Sequence, residues 1–164
     1  MNILVLCTGN SCRSILAEAL INDLGGDRFQ AFSAGSNPTG AVNPGALQKL
    51  QREGHPTDGF ASKSWDAFSG EDAQVIDIVI TVCDSAAGES CPVWRGSPLT
   101  VHWGIPDPAD AAPAQLAGAF DRAYEQLRTR IQALTELPVE SMDARQLKDA
   151  LCRIHDAAGA TEQE

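Results

Sequence analysis

One stretch of eight residues decides how the chain folds, and it reads Cys7-Thr8-Gly9-Asn10-Ser11-Cys12-Arg13-Ser14. The apolar run before it, residues 3–6, is typical of a buried strand. The residues after it, 14–20, have the pattern of a helix. The stretch is therefore predicted to turn a strand into a helix, with a thiol at its start and a guanidinium near its end.

This turn is predicted to bind an oxyanion. Five residues separate Cys7 from Arg13, which allows the backbone N–H groups to point inward at the N-terminus of the helix. We expect Arg13 to bind the anion from the side. We also expect Cys7 to be a thiolate at neutral pH, because a helix N-terminus and a cation both lower a thiol pKa. The residues predicted to contact the oxyanion are Thr8, Gly9, Asn10, Ser11, Cys12, Arg13 and Ser14.

Composition and charge limit the classes of protein to which the chain can belong. Its 164 residues, 43% hydrophobic and 21% charged, fit one ordinary globular domain with a single core. The net charge of −10, from 12 basic and 22 acidic residues, argues against nucleic acid or an anionic membrane as a partner. An oxyanion site must therefore rely on local backbone dipoles and on Arg13.

The sequence shows no secretory signal, and no apolar stretch approaches the roughly 18 residues of a membrane span. We therefore expect a cytoplasmic protein whose thiols stay reduced. Its five cysteines are Cys7, Cys12, Cys83, Cys91 and Cys152. A zinc site made of Cys83, Cys91 and His102 is disfavoured because the spacing matches no zinc pattern. We predict neither a metal nor a cofactor.

Short apolar runs alternate with helical patterns along the chain. Strands are predicted at about 2–6, 28–34, the second half of 75–82, and 99–103, with helices at about 14–24, 44–54, 113–135 and 143–156. This alternation is typical of a single, doubly wound α/β domain with a parallel sheet between helices. We assign residues 1–137 to that domain and residues 138–164 to a C-terminal helical extension whose last eight residues form a disordered tail.

Three chemically distinctive segments are predicted at the same edge of the sheet. Ligands of parallel sheets bind beyond the carboxyl ends of the strands. The Cys7 loop, Cys83 and the loop carrying Asp107 all follow predicted strands there. Asp107 is a candidate general acid; because Pro106 and Pro108 flank it, a role only in shaping the loop is the alternative.

The eight-residue stretch resembles the phosphate loop of the low-molecular-weight protein tyrosine phosphatases and of the arsenate reductases that share their fold. The resemblance extends to about residue 135 and includes Ser33-Ala34-Gly35 and Asp107-Pro108. It implies a four-stranded parallel sheet in the order 2-1-3-4, flanked by helices. It also implies that Cys7 is the nucleophile and Asp107 the acid.

Two further thiols favour the reductase over the phosphatase. A hydrolase needs one nucleophile, whereas a reductase needs two electrons, which a dithiol supplies when it becomes a disulfide. The segment from Cys83 to Trp94 resembles the redox segment of the arsenate reductases. The implied relay runs from Cys7, which attacks arsenate, to Cys83, which releases arsenite, and then to Cys91. Segment 84–97 is expected to move during this relay, because a disulfide requires two nearby sulfurs.

The resemblance leaves the reductant open. Seven residues separate Cys83 from Cys91, one more than in thioredoxin-coupled members, and the longer form resembles reductases that use glutathione and glutaredoxin. Thioredoxin and glutaredoxin/glutathione are both candidates, and whether Cys91 resolves the first disulfide is also open.

Two other functions are alternatives to arsenate reduction. One is hydrolysis of phosphotyrosine, which Ala109 disfavours because phosphatases of this family usually carry an aromatic residue after Asp-Pro. The other is a non-enzymatic module that senses redox state or an oxyanion, for which the extension beyond residue 137 is the only support in the sequence.

Overall fold

The structure is a computed structural model, and it describes residues 1–88 and 92–162. The strands are β1 (Asn2–Cys7), β2 (Gln30–Gly35), β3 (Ile78–Thr81) and β4 (Leu99–His102). The helices are α1 (Arg13–Leu24), α2 (Pro44–Arg52), α3 (Asp84–Ala87), α4 (Leu116–Thr135) and α5 (Ala144–Glu162). Short 3-10 helices occupy Trp65–Phe68, Pro108–Asp110, Pro113–Gln115 and Val139–Ser141.

The four strands form one parallel sheet in the order β2-β1-β3-β4, which confirms the predicted fold. In the sheet Leu6 pairs with Thr81, and Thr81 pairs with His102. The carboxyl ends of β1, β3 and β4 are therefore level with one another. As a result, the loops that begin at Cys7, Val82 and Trp103 leave the sheet at one edge.

Apolar side chains cover both faces of the sheet. On one face, Ile3 and Val5 of β1 pack with α1, α4 and α5 in a single buried cluster. On the other face, Leu4 and Leu6 belong to a smaller cluster that includes Trp94. The central strands β1 and β3 bury both of their faces, as expected for a parallel sheet between two layers, whereas the edge strand β4 exposes Thr100 and His102. Because β1 is central and rigid, it fixes the position at which its last residue, Cys7, enters the loop.

The C-terminal segment differs from the prediction in its extent. The helix α5 continues to Glu162, so the expected disordered tail is helical as far as that residue. The cause is the guanidinium of Arg130 in α4, which is 1% exposed, pairs with the carboxylate of Glu162 and donates from Nε to His155 Nδ1 at 3.1 Å. The helix also accepts a hydrogen bond from Trp103 Nε1 at the carbonyl of Leu151, at 2.9 Å.

In the part of the chain that the structure describes, no helix combines the length and the apolar character needed to cross a membrane.

The packing of α5 predicts a large stability effect at one position. Leu151 is fully buried in the main cluster, so Leu151→Ala should lower the free energy of unfolding by about 2–5 kcal/mol. The adjacent Cys152 is exposed, so Cys152→Ala should change it by no more than about 0.5 kcal/mol. Urea denaturation measures both values. Equal midpoints for the two variants would contradict the packing of α5 described above.

Candidate active site

The loop between β1 and α1 is braced from outside through its carbonyl groups. The carbonyl of Gly9 accepts hydrogen bonds from Ser62 Oγ at 2.9 Å and from the Thr39 amide at 3.1 Å. The carbonyl of Ser11 accepts from the Asn43 amide at 3.0 Å. In a trans peptide the N–H points opposite the carbonyl. The N–H groups that follow these carbonyls are therefore directed inward, as an anion cradle requires.

Asn10 fixes the curvature of the loop. Its φ of 47° lies in the left-handed region, which asparagine tolerates better than most residues. Its buried side chain accepts from the amide of Lys63 at 3.0 Å and donates to Ser14 Oγ at 2.9 Å. Asn10 and Ser14 thus join the loop to the start of α1 and to the segment before Trp65. The Ser14 hydroxyl oxygen accepts the hydrogen bond from Asn10.

Arg13 and Asp107 lie together at the mouth of the loop. Arg13 Nη1 donates to the carbonyl of Ile105 at 2.9 Å, and Arg13 Nη2 lies 3.4 Å from Asp107 Oδ2. Arg13 Nε is buried and has no hydrogen-bond partner within residues 1–88 and 92–162. A buried guanidinium with an unpaired donor favours a bound anion. Asp107 also accepts from the Ala109 amide at 3.0 Å, which fixes its carboxylate in the loop.

The sulfur of Cys83 lies against the start of the anion loop. It accepts hydrogen bonds from the Thr8 amide at 3.3 Å and from the Ala86 amide at 3.4 Å, and it lies 3.6 Å from Thr8 Oγ1. The Cys7 thiol also donates to it. Burial opposes ionisation, but these donors, with Cys7 first, lower the pKa of Cys83 to about 5. Cys83 is therefore a buried thiolate at neutral pH.

The two thiols of the site differ in the direction in which their pKa values are shifted. The pKa of Cys7 is raised, first because its thiol donates to Cys83 and second because it is buried. Arg13 opposes this shift and does not overcome it. These shifts oppose the expectation that Cys7 is the resting thiolate, and the charge state of Cys7 stays a prediction. The amides of Thr8 and Ala86 donate to the Cys83 sulfur and favour a negative charge there.

The other predicted residues have distinct positions. Cys12 is buried at the entrance of α1, where burial raises its pKa, and its sulfur lies 3.7 Å from Ser11 Oγ. Cys152 is exposed on α5. Cys91 lies outside the described residues. Among those described, no group of three His, Cys, Asp or Glu side chains is arranged to hold a metal ion.

The sequence reasoning missed the contact between Thr8 and Cys83. It assigned Thr8 only to the oxyanion. The signal was present, because Thr8 follows β1 and Cys83 follows β3 closely, and these strands were predicted to be parallel neighbours. Residues that leave adjacent parallel strands at one edge come into contact, which makes this pairing predictable from topology.

A thiol pair beneath a strand-to-helix anion loop, with an arginine and a carboxylate at its mouth, defines a cysteine-dependent oxyanion site. The model of the family "Low molecular weight phosphotyrosine protein phosphatase" matches residues 2–149. The chain therefore belongs to that family, and the resemblance inferred from the loop is confirmed.

Several proteins to which the chain is similar are arsenate reductases. The arsenate reductase of Halalkalibacterium halodurans is 35% identical over 133 residues, which are 80% of this chain and 92% of that protein. The solved arsenate reductase of Archaeoglobus fulgidus is 25% identical with a TM-score of 0.65, covering 82% of this chain and 99% of that chain. A solved thioredoxin-dependent arsenate reductase of Corynebacterium glutamicum is 25% identical with a TM-score of 0.55, covering 80% of this chain and 61% of that chain.

The hydrogen bond between the two thiols predicts how they depend on each other. In Cys7→Ala the leading donor to Cys83 is lost, so the pKa of Cys83 should rise from about 5. Alkylation of Cys83 by iodoacetamide, followed by peptide mass spectrometry across pH, measures this pKa. The exposed Cys152 in the same sample is the internal reference. A midpoint for Cys83 that stays the same or falls would contradict the assigned hydrogen bond.

Proposed function

We propose that the chain is an arsenate reductase that uses Cys7 as its nucleophile and Cys83 as the source of the second sulfur. The observation that carries this proposal is the contact of the Cys83 sulfur with Cys7 and Thr8. Hydrolysis of a phosphate ester has no use for a second ionised sulfur beside the nucleophile. Reduction requires one, because two electrons must leave the protein as a disulfide forms.

The first step is capture of arsenate. The inward N–H groups of the loop and the unpaired Nε of Arg13 bind its oxygens. The Cys7 sulfur attacks arsenic, and its proton passes to an oxygen of the bound oxyanion, so that Cys83 stays a thiolate. Asp107, beside Arg13, protonates the departing oxygen, which leaves as water. The product is a Cys7–arsenic(V) adduct held in the loop.

The second step transfers the electrons. The Cys83 thiolate attacks the sulfur of Cys7, and the sulfur–arsenic bond breaks with its electron pair on arsenic. Arsenic(V) becomes arsenic(III), which leaves as arsenite, while the two cysteines become a disulfide. A low pKa for Cys83 serves this step because the thiolate is the attacking species.

The third step restores Cys7. In the proposal Cys91 attacks Cys83, forms a Cys83–Cys91 disulfide and leaves Cys7 reduced. A thiol donor of the thioredoxin or glutaredoxin/glutathione type then reduces that disulfide. The thioredoxin-dependent relative supports the first donor, and the seven-residue spacing supports the second. Both donors belong to the cytoplasm, which is the location we propose.

Phosphatase activity is the second candidate, because the same loop and Asp107 suit a phosphate ester. We expect slow hydrolysis of aryl phosphates as a side reaction of Cys7. Phosphatase activity is secondary because the Cys83 thiolate would contribute nothing to hydrolysis.

One pair of substitutions separates the two activities. Cys83→Ser should abolish multiple-turnover reduction of arsenate, a loss of about 100-fold or more, and keep hydrolysis of p-nitrophenyl phosphate within about tenfold of the wild type. Cys7→Ser should abolish both, and Cys152→Ser should change neither. Arsenite formation and nitrophenol release are the measurements. Continued multiple-turnover reduction by Cys83→Ser would refute the proposed role of Cys83.

A further inference from the structure

The imidazole of His102, the last residue of β4, is held from both sides. Its Nδ1 lies 2.7 Å from Thr81 Oγ1 of β3, and its Nε2 lies 2.8 Å from Asp84 Oδ1. A carboxylate only accepts hydrogen bonds, so Nε2 carries a proton and donates to Asp84. The Thr81 hydroxyl donates to Nδ1 of the neutral ring. The imidazole therefore links the sheet to the segment that follows Cys83.

Asp84 is the first residue of α3, and this short helix shapes the surroundings of Cys83. The Ala86 amide donates to the Cys83 sulfur from the first turn of α3. A four-residue helix has little stability of its own, because nucleation is costly and only a few backbone hydrogen bonds offset that cost. An anchor at its first residue therefore determines whether the Ala86 amide stays directed at Cys83.

Gly104 leaves room for the hydrogen bond between His102 and Asp84. A Cβ at position 104 would lie 2.5 Å from His102 Nε2 and 3.0 Å from Asp84 Oδ1. The pair of side chains thus packs over the backbone of residue 104 in space that an alanine would take. The contact involves three segments, the end of β4, the loop after it and the start of α3.

We propose that His102 is a positioning residue for Cys83, acting through Asp84 to hold the first turn of α3 so that the Ala86 amide donates to the Cys83 sulfur. The contact between His102 and Asp84 is called the clasp below. The inference deepens the proposed function, because Cys83 is the attacking thiolate of the reduction step.

The clasp is suited to opening. The Asp84 side chain is 97% exposed and that of His102 is 37% exposed, so water competes for both partners and the contact contributes little to global stability. A segment that must move so that Cys91 reaches Cys83 needs an anchor of this strength. The clasp orders α3 in the resting enzyme and is released at small cost during the relay.

Other charged groups near the clasp come from α4 and α5. The His155 ring of α5 lies 6.4 Å from the His102 ring, centroid to centroid. His155 in turn accepts from Arg130 of α4, and its pKa is lowered by burial and then by Arg130. If His102 gains a proton, Nδ1 donates to Thr81 Oγ1, whose hydrogen turns to the Val101 carbonyl at 3.5 Å. The clasp to Asp84 therefore persists in both states of His102.

Three substitutions test the clasp. His102→Leu removes the donor to Asp84. Gly104→Ala pushes a methyl group between the two partners. His102→Gln keeps an N–H donor that can reach the carboxylate. Alkylation of Cys83 across pH 4–8, read by peptide mass spectrometry with Cys152 as the reference, reports the state of Cys83 without any arsenate.

His102→Leu and Gly104→Ala should each move the Cys83 alkylation midpoint upward by about half a pH unit, which slows alkylation about twofold at the wild-type midpoint and about threefold well below it. His102→Gln should stay close to the wild type. A wild-type profile in both His102→Leu and Gly104→Ala would overturn the proposal. An equal shift in His102→Gln would also overturn it, since loss of packing and not of the hydrogen bond would then be the cause.

The outcome is independent of the proposed function as a whole. If the wild type fails to reduce arsenate, the function is wrong while the alkylation profiles still decide the clasp. If the wild type reduces arsenate and the alkylation profiles of His102→Leu and Gly104→Ala coincide with that of the wild type, the proposed function is supported and the role of the clasp is refuted. A variant that fails to fold is recognised by its thermal unfolding, and the other clasp-breaking variant then decides the test.

Discussion

The site depends on one interaction, the set of hydrogen bonds that converge on the sulfur of Cys83. Amides of Thr8 and Ala86 and the thiol of Cys7 all donate to this atom. A buried thiolate is stable only where donors replace the water it has lost. These donors therefore favour the thiolate form of Cys83, which is the form of the sulfur that can attack.

The sheet makes this convergence possible. Strands β1 and β3 are parallel neighbours in register, with Leu6 opposite Thr81, so the segments leaving them emerge side by side. Cys7 ends β1, and Cys83 follows β3 after Val82. The buried faces of β1 fix one partner, and the clasp at Asp84 is the anchor we infer for the other. In the proposed relay, the sheet holds the nucleophile Cys7, and its partner Cys83 directly precedes the short helix α3.

Much of this was predictable from the sequence, for identifiable reasons. The residue types and spacing of residues 7–14 predict an anion-binding loop. The alternation of strands and helices predicts that Cys83 and Asp107 lie at the same edge of the sheet as that loop. The lowered pKa of Cys83 was not predictable, because it depends on amides of Thr8 and Ala86 whose direction follows from the fold. The end of α5 was missed since Glu162 is held by Arg130, a pairing across 32 residues that no local pattern reveals. The roles of Asp107 and Cys91 stay predictions.

The central claim is that the Cys83 sulfur displaces arsenic from the Cys7 sulfur and forms a Cys7–Cys83 disulfide. Disulfide mapping by mass spectrometry after a single turnover, with one equivalent of arsenate and no external reductant, tests it most directly when the Cys91→Ser variant is used. The account predicts one arsenite released per chain and a peptide linked through Cys7 and Cys83. Arsenite released in that amount without a linkage to Cys83 would contradict it.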